Sequence, residues 1–234
     1  MNSRDNQLWL QLWRDKSIDF HQPVVNTLLT RFWPELKLNQ GNKVFVPLCG
    51  KSLDMIWIAG QGYDVIGVEL SPIAVRDFFK ENGLKAKKTM QGNFTLWQHK
   101  NISILCGDYF AISKDDLGEI DIVYDRASLT ALPEDIRRQY VAHLETITRD
   151  TTQIFLLTTE DAAAGASLEH ALGVDDEIKS LFTENFEIDL VHVDSIYEFD
   201  SRLTEQSPCR AEYKVYQLIS KIMLSRKINS HDKE

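Results

Sequence analysis

Glu69 closes the apolar run "YDVIGVEL", 19 positions after Gly50 in the turn "VPLCG". An acid about 20 residues past a glycine-bearing turn is the spacing that holds a ribose diol, because one carboxylate accepts from both hydroxyls. An acidic cap for the following helix, favoured by the helix dipole, fits the same residue. Gly50 lets a ligand approach the backbone closely and serves equally well as a plain turn residue. With Lys51 and Ser52 it forms a "GKS" that ends like a phosphate loop. The position where such a loop needs its first glycine holds Phe45, so the phosphate reading is set aside. A dinucleotide G-x-G-x-x-G is absent too. A ribose acid without a phosphate loop points to a nucleoside cofactor lacking phosphates, and S-adenosylmethionine is the obvious candidate.

Two more acids and an arginine sit where strands should end. Asp108 follows "ILCG" and suits either an adenine amine or a helix cap. Arg126 follows Asp125 at the end of "EIDIVYD" and suits either a cofactor carboxylate or an ion pair with a neighbouring acid. Lys51 reads as a solvated residue at a helix start. The histidines form no H-x-x-x-H pair, and no G-x-S-x-G element is present, which argues against a metal site and a serine hydrolase. Cys49, Cys106 and Cys209 are odd in number and lack a C-x-x-C spacing, so they read as reduced thiols.

The elements that must position these residues alternate. "NKVFVPLCG", "YDVIGVEL", "EIDIVYD" and "TQIFLLTT" read as buried strands, and "FTLWQHKNISILCGD" reads as two strands about a turn at Lys100 and Asn101. "KSLDMIWIAGQG", "SPIAVRDFFKENG", "PEDIRRQYVAHLETITR" and "DDEIKSLFTENF" have helical periodicity; Ser71, Pro72 and Gly83 mark the ends of the second. "EIDLVHVDSIYEF" and "AEYKVYQLIS" are late strands, and residues 221–234 read as a frayed polar tail. Such alternation predicts an α/β fold with a mostly parallel sheet and ligands outside the carboxyl ends of its strands. Residues 1–40 carry Trp9, Trp13, Phe20, Phe32 and Trp33, too aromatic to be solvated. They are expected to pack on the sheet or to cover the ligand.

Composition bounds the rest. At 234 residues, 43 % hydrophobic and 26 % charged, the chain is an ordinary globular protein of one large domain, read as 1–220 plus the tail. A net charge of −9 argues against nucleic acid or an anionic membrane as partner. No secretory segment and no run of about eighteen apolar residues is visible, so a cytoplasmic monomer is expected.

"FVPLCGKSLDMIWIAGQGYDVIGVELS", "CGDYF", "YDRASLTALP" and the leading "W…FHQ" together resemble bacterial thiopurine S-methyltransferases. The resemblance runs from about Trp9 to Tyr140 and returns more weakly in "AEYKVYQLIS". It implies a class I, Rossmann-like methyltransferase fold: a seven-stranded sheet with one antiparallel strand, helices on both faces and an N-terminal lid. It implies S-adenosylmethionine as cofactor and the thiol sulfur of a small aromatic or heterocyclic compound as methyl acceptor. Carried over, Trp13, Leu48, Glu69 and Arg126 contact the cofactor beside Gly50 and Asp108. Arg126 also lies near the acceptor, with Phe20 and Arg202 on the substrate side.

One segment departs from the family pattern. Where a Gly-Pro-Pro-Phe-type stretch shapes the acceptor pocket, this chain has "TTEDAAAGASLEHALGVDDE". Other soft nucleophiles therefore stay open as acceptors: thiocyanate, a halide, or a selenium or tellurium species. A non-catalytic cofactor-binding protein and a nucleotide-dependent enzyme using "GKS" are the remaining rivals.

Overall fold

A computed structural model describes residues 3–18, 20–161, 174–198 and 209–231. They fall into two compact units, residues 1–124 with 143–149 and residues 125–142 with 150–234.

The first unit is built on strands β1 (Lys43–Val46), β2 (Asp64–Glu69), β3 (Lys87–Gln91), β4 (Phe94–His99), β5 (Ile102–Cys106) and the start of β6 (Ile122–Arg126), in the order β3-β4-β5-β2-β1-β6. β1 pairs in parallel with β2 (Phe45 against Ile66) and with β6 (Phe45 against Val123), and β2 pairs in parallel with β5. Val44, Phe45, Val65, Val68, Ile104 and Leu105 are buried, the continuous apolar pattern of strands covered on both faces. Helix α3 (Asp54–Gly60) buries Met55 and Ile58. Helix α4 (Pro72–Glu81) starts where predicted: the Ser71 hydroxyl accepts from the Ala74 N–H, and Pro72 fills the first turn. It buries Val75, Phe78 and Phe79, and Phe79 stacks on Trp97 with centroids 5.8 Å apart.

The aromatic leader divides in two. Helix α1 (Ser3–Asp15) carries Trp9 and Trp13. Helix α2 (Thr27–Phe32) is capped by Asn26 and runs into a 3-10 turn whose Trp33 meets Tyr63 and Tyr124 edge-on, at 5.8 and 6.0 Å. Phe32 and Trp33 are therefore core, while Trp9 and Trp13 belong to the covering segment. Asp54 joins these parts: it accepts from the Asn26 N–H and from the Tyr124 hydroxyl, both at 2.8 Å. Short helix α5 (Lys114–Leu117) carries a capping box of Ser113 and Asp116.

The second unit holds the end of β6, helix α6 (Ser128–Ala131), the first part of α7 (Glu134–Ile147), β7 (Gln153–Asp161), α8 (Val174–Phe182), β8 (Phe186–Glu198), β9 (Cys209–Ser220) and α9 (Lys221–His231). β9 pairs antiparallel with both β7 and β8. Phe155, Leu156, Ile178, Phe182, Val215 and Leu218 are buried in it.

Three expectations are corrected. Among the described residues nine strands form where the family resemblance implied seven. The sheet is mixed, with antiparallel pairing at β3-β4-β5 and at β7-β9-β8, rather than parallel with one exception. β3 escaped notice because it is a solvated edge: Lys87, Lys88, Thr89 and Met90 are all exposed, so no alternation of apolar residues betrays it. The polar tail is helix α9 through His231. Its first turn is capped by the Ser220 hydroxyl, which accepts from the Met223 N–H. The α/β class itself stands.

Candidate active site

Glu69 is 7 % exposed at the carboxyl end of β2. Its Oε2 accepts from the Gly50 N–H at 2.9 Å, and its Oε1 accepts from the Ser71 N–H at 2.6 Å. The carboxylate thus ties the β1–α3 turn to the start of α4. Burial pushes it up from 4.5 to about 7, and the backbone N–H donors at Ser71 and Gly50 oppose that rise only in part. The Leu70 N–H also favours the ionised form, and two carboxylate oxygens have capacity for more than these backbone donors. A vicinal diol supplies two donors at that spacing.

The turn that faces Glu69 is tightly shaped. Leu48 and Gly50 both have positive φ, 45° and 52°. Leu48 takes that conformation without glycine's freedom, a strain that persists where surroundings hold it. The Cys49 N–H donates to the Val68 carbonyl at 2.9 Å, and its side chain packs where a Cβ on Gly67 would stand 2.7 Å from Sγ. Gly67 is thus glycine because Cys49 and Met55 occupy its space. Beyond the turn, Lys51 donates to both oxygens of Glu81 at 2.9 and 2.8 Å. It is a paired, largely covered residue rather than the solvated one expected from sequence. With the Gly50 N–H given to Glu69 and Lys51 given to Glu81, the "GKS" has no phosphate cradle to offer.

Helix α1 reaches this turn. Trp13 is 5 % exposed, and a Cβ on Gly50 would come 3.3 Å from its indole Cζ2. Phe20, 46 % exposed, meets Trp13 and Trp9 edge-on at 5.7 and 5.4 Å. Asp108 sits after β5, beside β2: the Gly107 N–H donates to the Glu69 carbonyl at 2.9 Å. Asp108 Oδ1 accepts from the Phe110 N–H at 3.0 Å and its Oδ2 from Asn6 Nδ2 at 2.9 Å. The turn after Asp108 is held by His143, whose Nε2 donates to the Tyr109 carbonyl at 3.1 Å while its ring packs on Tyr109 and Phe110. Burial lowers its pKa, so the neutral imidazole serves.

Trp13, Leu48, Gly50, Glu69 and Asp108 therefore come together in the first unit, with Phe20 beside Trp13. Arg126 is half-buried at the end of β6 and belongs to the second unit. There Asp125, buried, accepts from the Tyr140 hydroxyl at 2.6 Å and from the Ser128 N–H at 3.0 Å, and the Ala127 N–H donates to the Leu157 carbonyl at 3.0 Å. These bonds hold Ala127 at φ 62°, the bend that follows Arg126. Arg202 and most of the segment that departs from the family pattern lie outside the described residues. Sequence reasoning missed Asn6 and Ser71 as members of the site. Asn6 meets Asp108 across 102 positions, which no local spacing can reveal. Ser71, a helix cap by its sequence position, also fixes Glu69 through its N–H.

With this geometry in view, comparison with known proteins is direct. Residues 4–221 match the family model described as thiopurine S-methyltransferase. The chain is 58 % identical to the thiopurine S-methyltransferase of Stutzerimonas stutzeri over 94 % of its own length and 93 % of the relative's. It is 39 % identical to that of Nitrosospira multiformis, over 92 % and 98 %. Among solved structures, a SAM-dependent methyltransferase from Anabaena variabilis shares the fold with a TM-score of 0.59 at 15 % identity, covering 93 % of this chain and 96 % of that one. A putative methyltransferase from Bacillus halodurans shares it at 0.58 and 14 %, covering 84 % and 99 %. The chain belongs to the thiopurine S-methyltransferase family and is an S-adenosylmethionine-dependent methyltransferase of the class I α/β fold.

Proposed function

We propose that the chain transfers the methyl group of S-adenosylmethionine to the thiol sulfur of a small aromatic or heterocyclic acceptor, with Glu69 holding the ribose. The observation that carries the cofactor half is the Glu69 carboxylate, buried at a strand end between the Gly50 and Ser71 N–H groups with acceptor capacity to spare. The bound sulfonium supplies an electrophilic methyl. Gly50 brings the backbone close, Leu48 lines the turn, and Asp108 accepts from the base. Trp13 and Phe20 keep water from the turn.

Transfer needs the acceptor sulfur in line with the methyl at about 3–3.5 Å, and holding that geometry is most of what the protein must supply. When bound, the cofactor would supply its methyl to the acceptor sulfur and leave as S-adenosylhomocysteine, with the thiol proton passing to solvent. Arg126 is proposed from the family resemblance as the cation that favours the thiolate, since an opposite charge within about 4–6 Å lowers an acid's pKa. Arg126→Ala should then raise the apparent acceptor pKa in the pH–rate profile; an unshifted profile refutes this role. Among the described residues no helix is long and apolar enough to cross a membrane. A monomer acting in the cytoplasm completes the proposal.

The test is calorimetric titration with S-adenosylmethionine, then addition of an aromatic thiol and detection of S-adenosylhomocysteine. Binding and turnover support the reading. Binding with turnover only of thiocyanate, a halide or a selenium or tellurium species moves the acceptor to that class. Folded protein that does not bind the cofactor sinks the Glu69 assignment.

A further inference from the structure

Arg137 divides its guanidinium among three partners in the second unit. Nε donates to the Leu132 carbonyl at 2.8 Å, Nη2 to the Thr130 carbonyl at 3.3 Å and Nη1 to Glu177 Oε2 at 2.6 Å. The two carbonyls close helix α6, the single turn that follows Arg126. A helix that short does not stand by itself in water. Ala127 at its start offers no capping side chain. Asp125 holds that start through the Ser128 N–H, and Arg137 holds the end, where helix carbonyls otherwise lack partners. Held at both ends, α6 keeps the Ala127 bend at φ 62°, a conformation that a residue other than glycine retains only when its surroundings enforce it.

The third partner lies on α8. Glu177 is the last residue of the stretch "TTEDAAAGASLEHALGVDDE" that departs from the family pattern. Next to it Ile178 is buried, and Phe182 is buried one turn further on, so α8 is firmly seated. The ion pair is largely covered, with side chains 16 % and 21 % exposed, and water screens it less than a surface pair. One planar fork thus ties the turn behind Arg126 to the end of the stretch expected to shape the acceptor pocket. A lysine, with a single nitrogen, cannot make that span.

We propose that the Arg137–Glu177 pair positions the acceptor side of the site. It sets the spacing between the Arg126 turn and α8, and through that spacing which acceptor ring is admitted. Arg137 and Glu177 act through the turn and the helix rather than on the reacting atoms. The proposal rests on the assignment of Arg126 to the acceptor.

The test measures steady-state rates with thiophenol and 2-naphthalenethiol, a one-ring and a two-ring acceptor, beside calorimetric titration of S-adenosylhomocysteine, all on the full chain. Arg137→Lys and Glu177→Gln should each raise the acceptor KM about tenfold, the worth of one charge-assisted hydrogen bond, and change the ratio of kcat/KM between the two thiols. The double variant should do no more than Arg137→Lys, because that change already breaks the pair. Affinity for S-adenosylhomocysteine should stay at the wild-type value, which also shows the variants folded. Glu177→Gln keeps the side chain's shape and a neutral hydrogen bond, so it carries the test where Arg137→Lys is too unstable to assay. A pair that only stabilises the fold would lower the rate with both thiols by one factor, at unchanged KM and unchanged ratio, and that result overturns the proposal. Arg126→Ala separates the two readings. If it shifts the pH–rate profile while the pair variants keep the wild-type KM and ratio, the Arg126 assignment stands and the pair proposal alone fails. If it leaves the profile in place, or wild-type protein turns over neither thiol, the acceptor assignment falls and takes this proposal with it.

Discussion

Glu69 should make both stability and cofactor affinity depend on pH, in opposite senses. Its carboxyl is raised in the folded chain from 4.5 to about 7, so protonation favours folding. That contribution is complete below about 4.5 and is lost as pH rises through about 7, amounting to ~3 kcal/mol. Denaturant titrations at pH 5 and pH 8 should show the loss, and Glu69→Gln should flatten the difference. Ribose hydroxyls donate to the ionised form, so affinity for S-adenosylmethionine should fall about tenfold per pH unit below 7 in wild type and stay level in Glu69→Gln. The thiols nearby behave alike. Burial first, and the Glu69 charge second, push Cys49 well up and Cys106 to about 11. Neither is a thiolate at neutral pH, so these two sulfurs offer no methyl acceptor. Alkylation of folded protein at pH 8 should be slow at both, and fast labelling would contradict the burial. In the second unit, Tyr140→Phe removes the donor to a buried Asp125 oxygen and should cost about 1–3 kcal/mol in denaturant midpoint experiments.

Elements differ in how plainly the sequence displays them. β1, β2 and the start of β6 are continuous apolar runs because both faces are covered, and Ser71-Pro72 with Gly83 delimit α4 chemically. β3 and α9 carry no such mark. One is an edge strand of exposed lysines; the other has a polar second half whose start is set by a cap at Ser220. The site divides the same way. Glu69 and Gly50 are legible because one turn and one strand fix their spacing, whereas Asn6 and Ser71 join only once α1 and α4 have been placed. The Gly50 turn supplies a test at this scale. Gly50→Ala meets both a φ of 52° and the Trp13 ring at 3.3 Å. It should destabilise the fold by about 1–2 kcal/mol and displace α1. Near-ultraviolet circular dichroism of the tryptophans would report that displacement, and an unchanged spectrum would show that Trp13 does not depend on the turn.

For the whole molecule, a cofactor that binds only the folded state adds stability by mass action. At a hundredfold excess over Kd this is about 2.7 kcal/mol, or roughly 5–10 °C in melting temperature for a chain of this size. S-adenosylhomocysteine should produce that rise at pH 8 and a smaller one at pH 6, where Glu69 must first lose its proton. An equal rise at both would place the ligand elsewhere. The long reach between Asn6 and Asp108 also bears on how the chain is made. During synthesis α1 emerges well before the partner of Asn6, which lies 102 residues downstream. At about 5–20 residues per second it follows some 5–20 s later. Until the Gly50 turn has formed Trp13 has no surface to cover, and the charges that flank the two tryptophans, Arg4, Asp5, Arg14, Asp15 and Lys16, help keep the nascent segment in water. Helix α1 thus waits on a late partner to complete its place in the first unit, and a ribosome stalled before Asp108 would hold it by the Gly50 turn without the Asn6 bond.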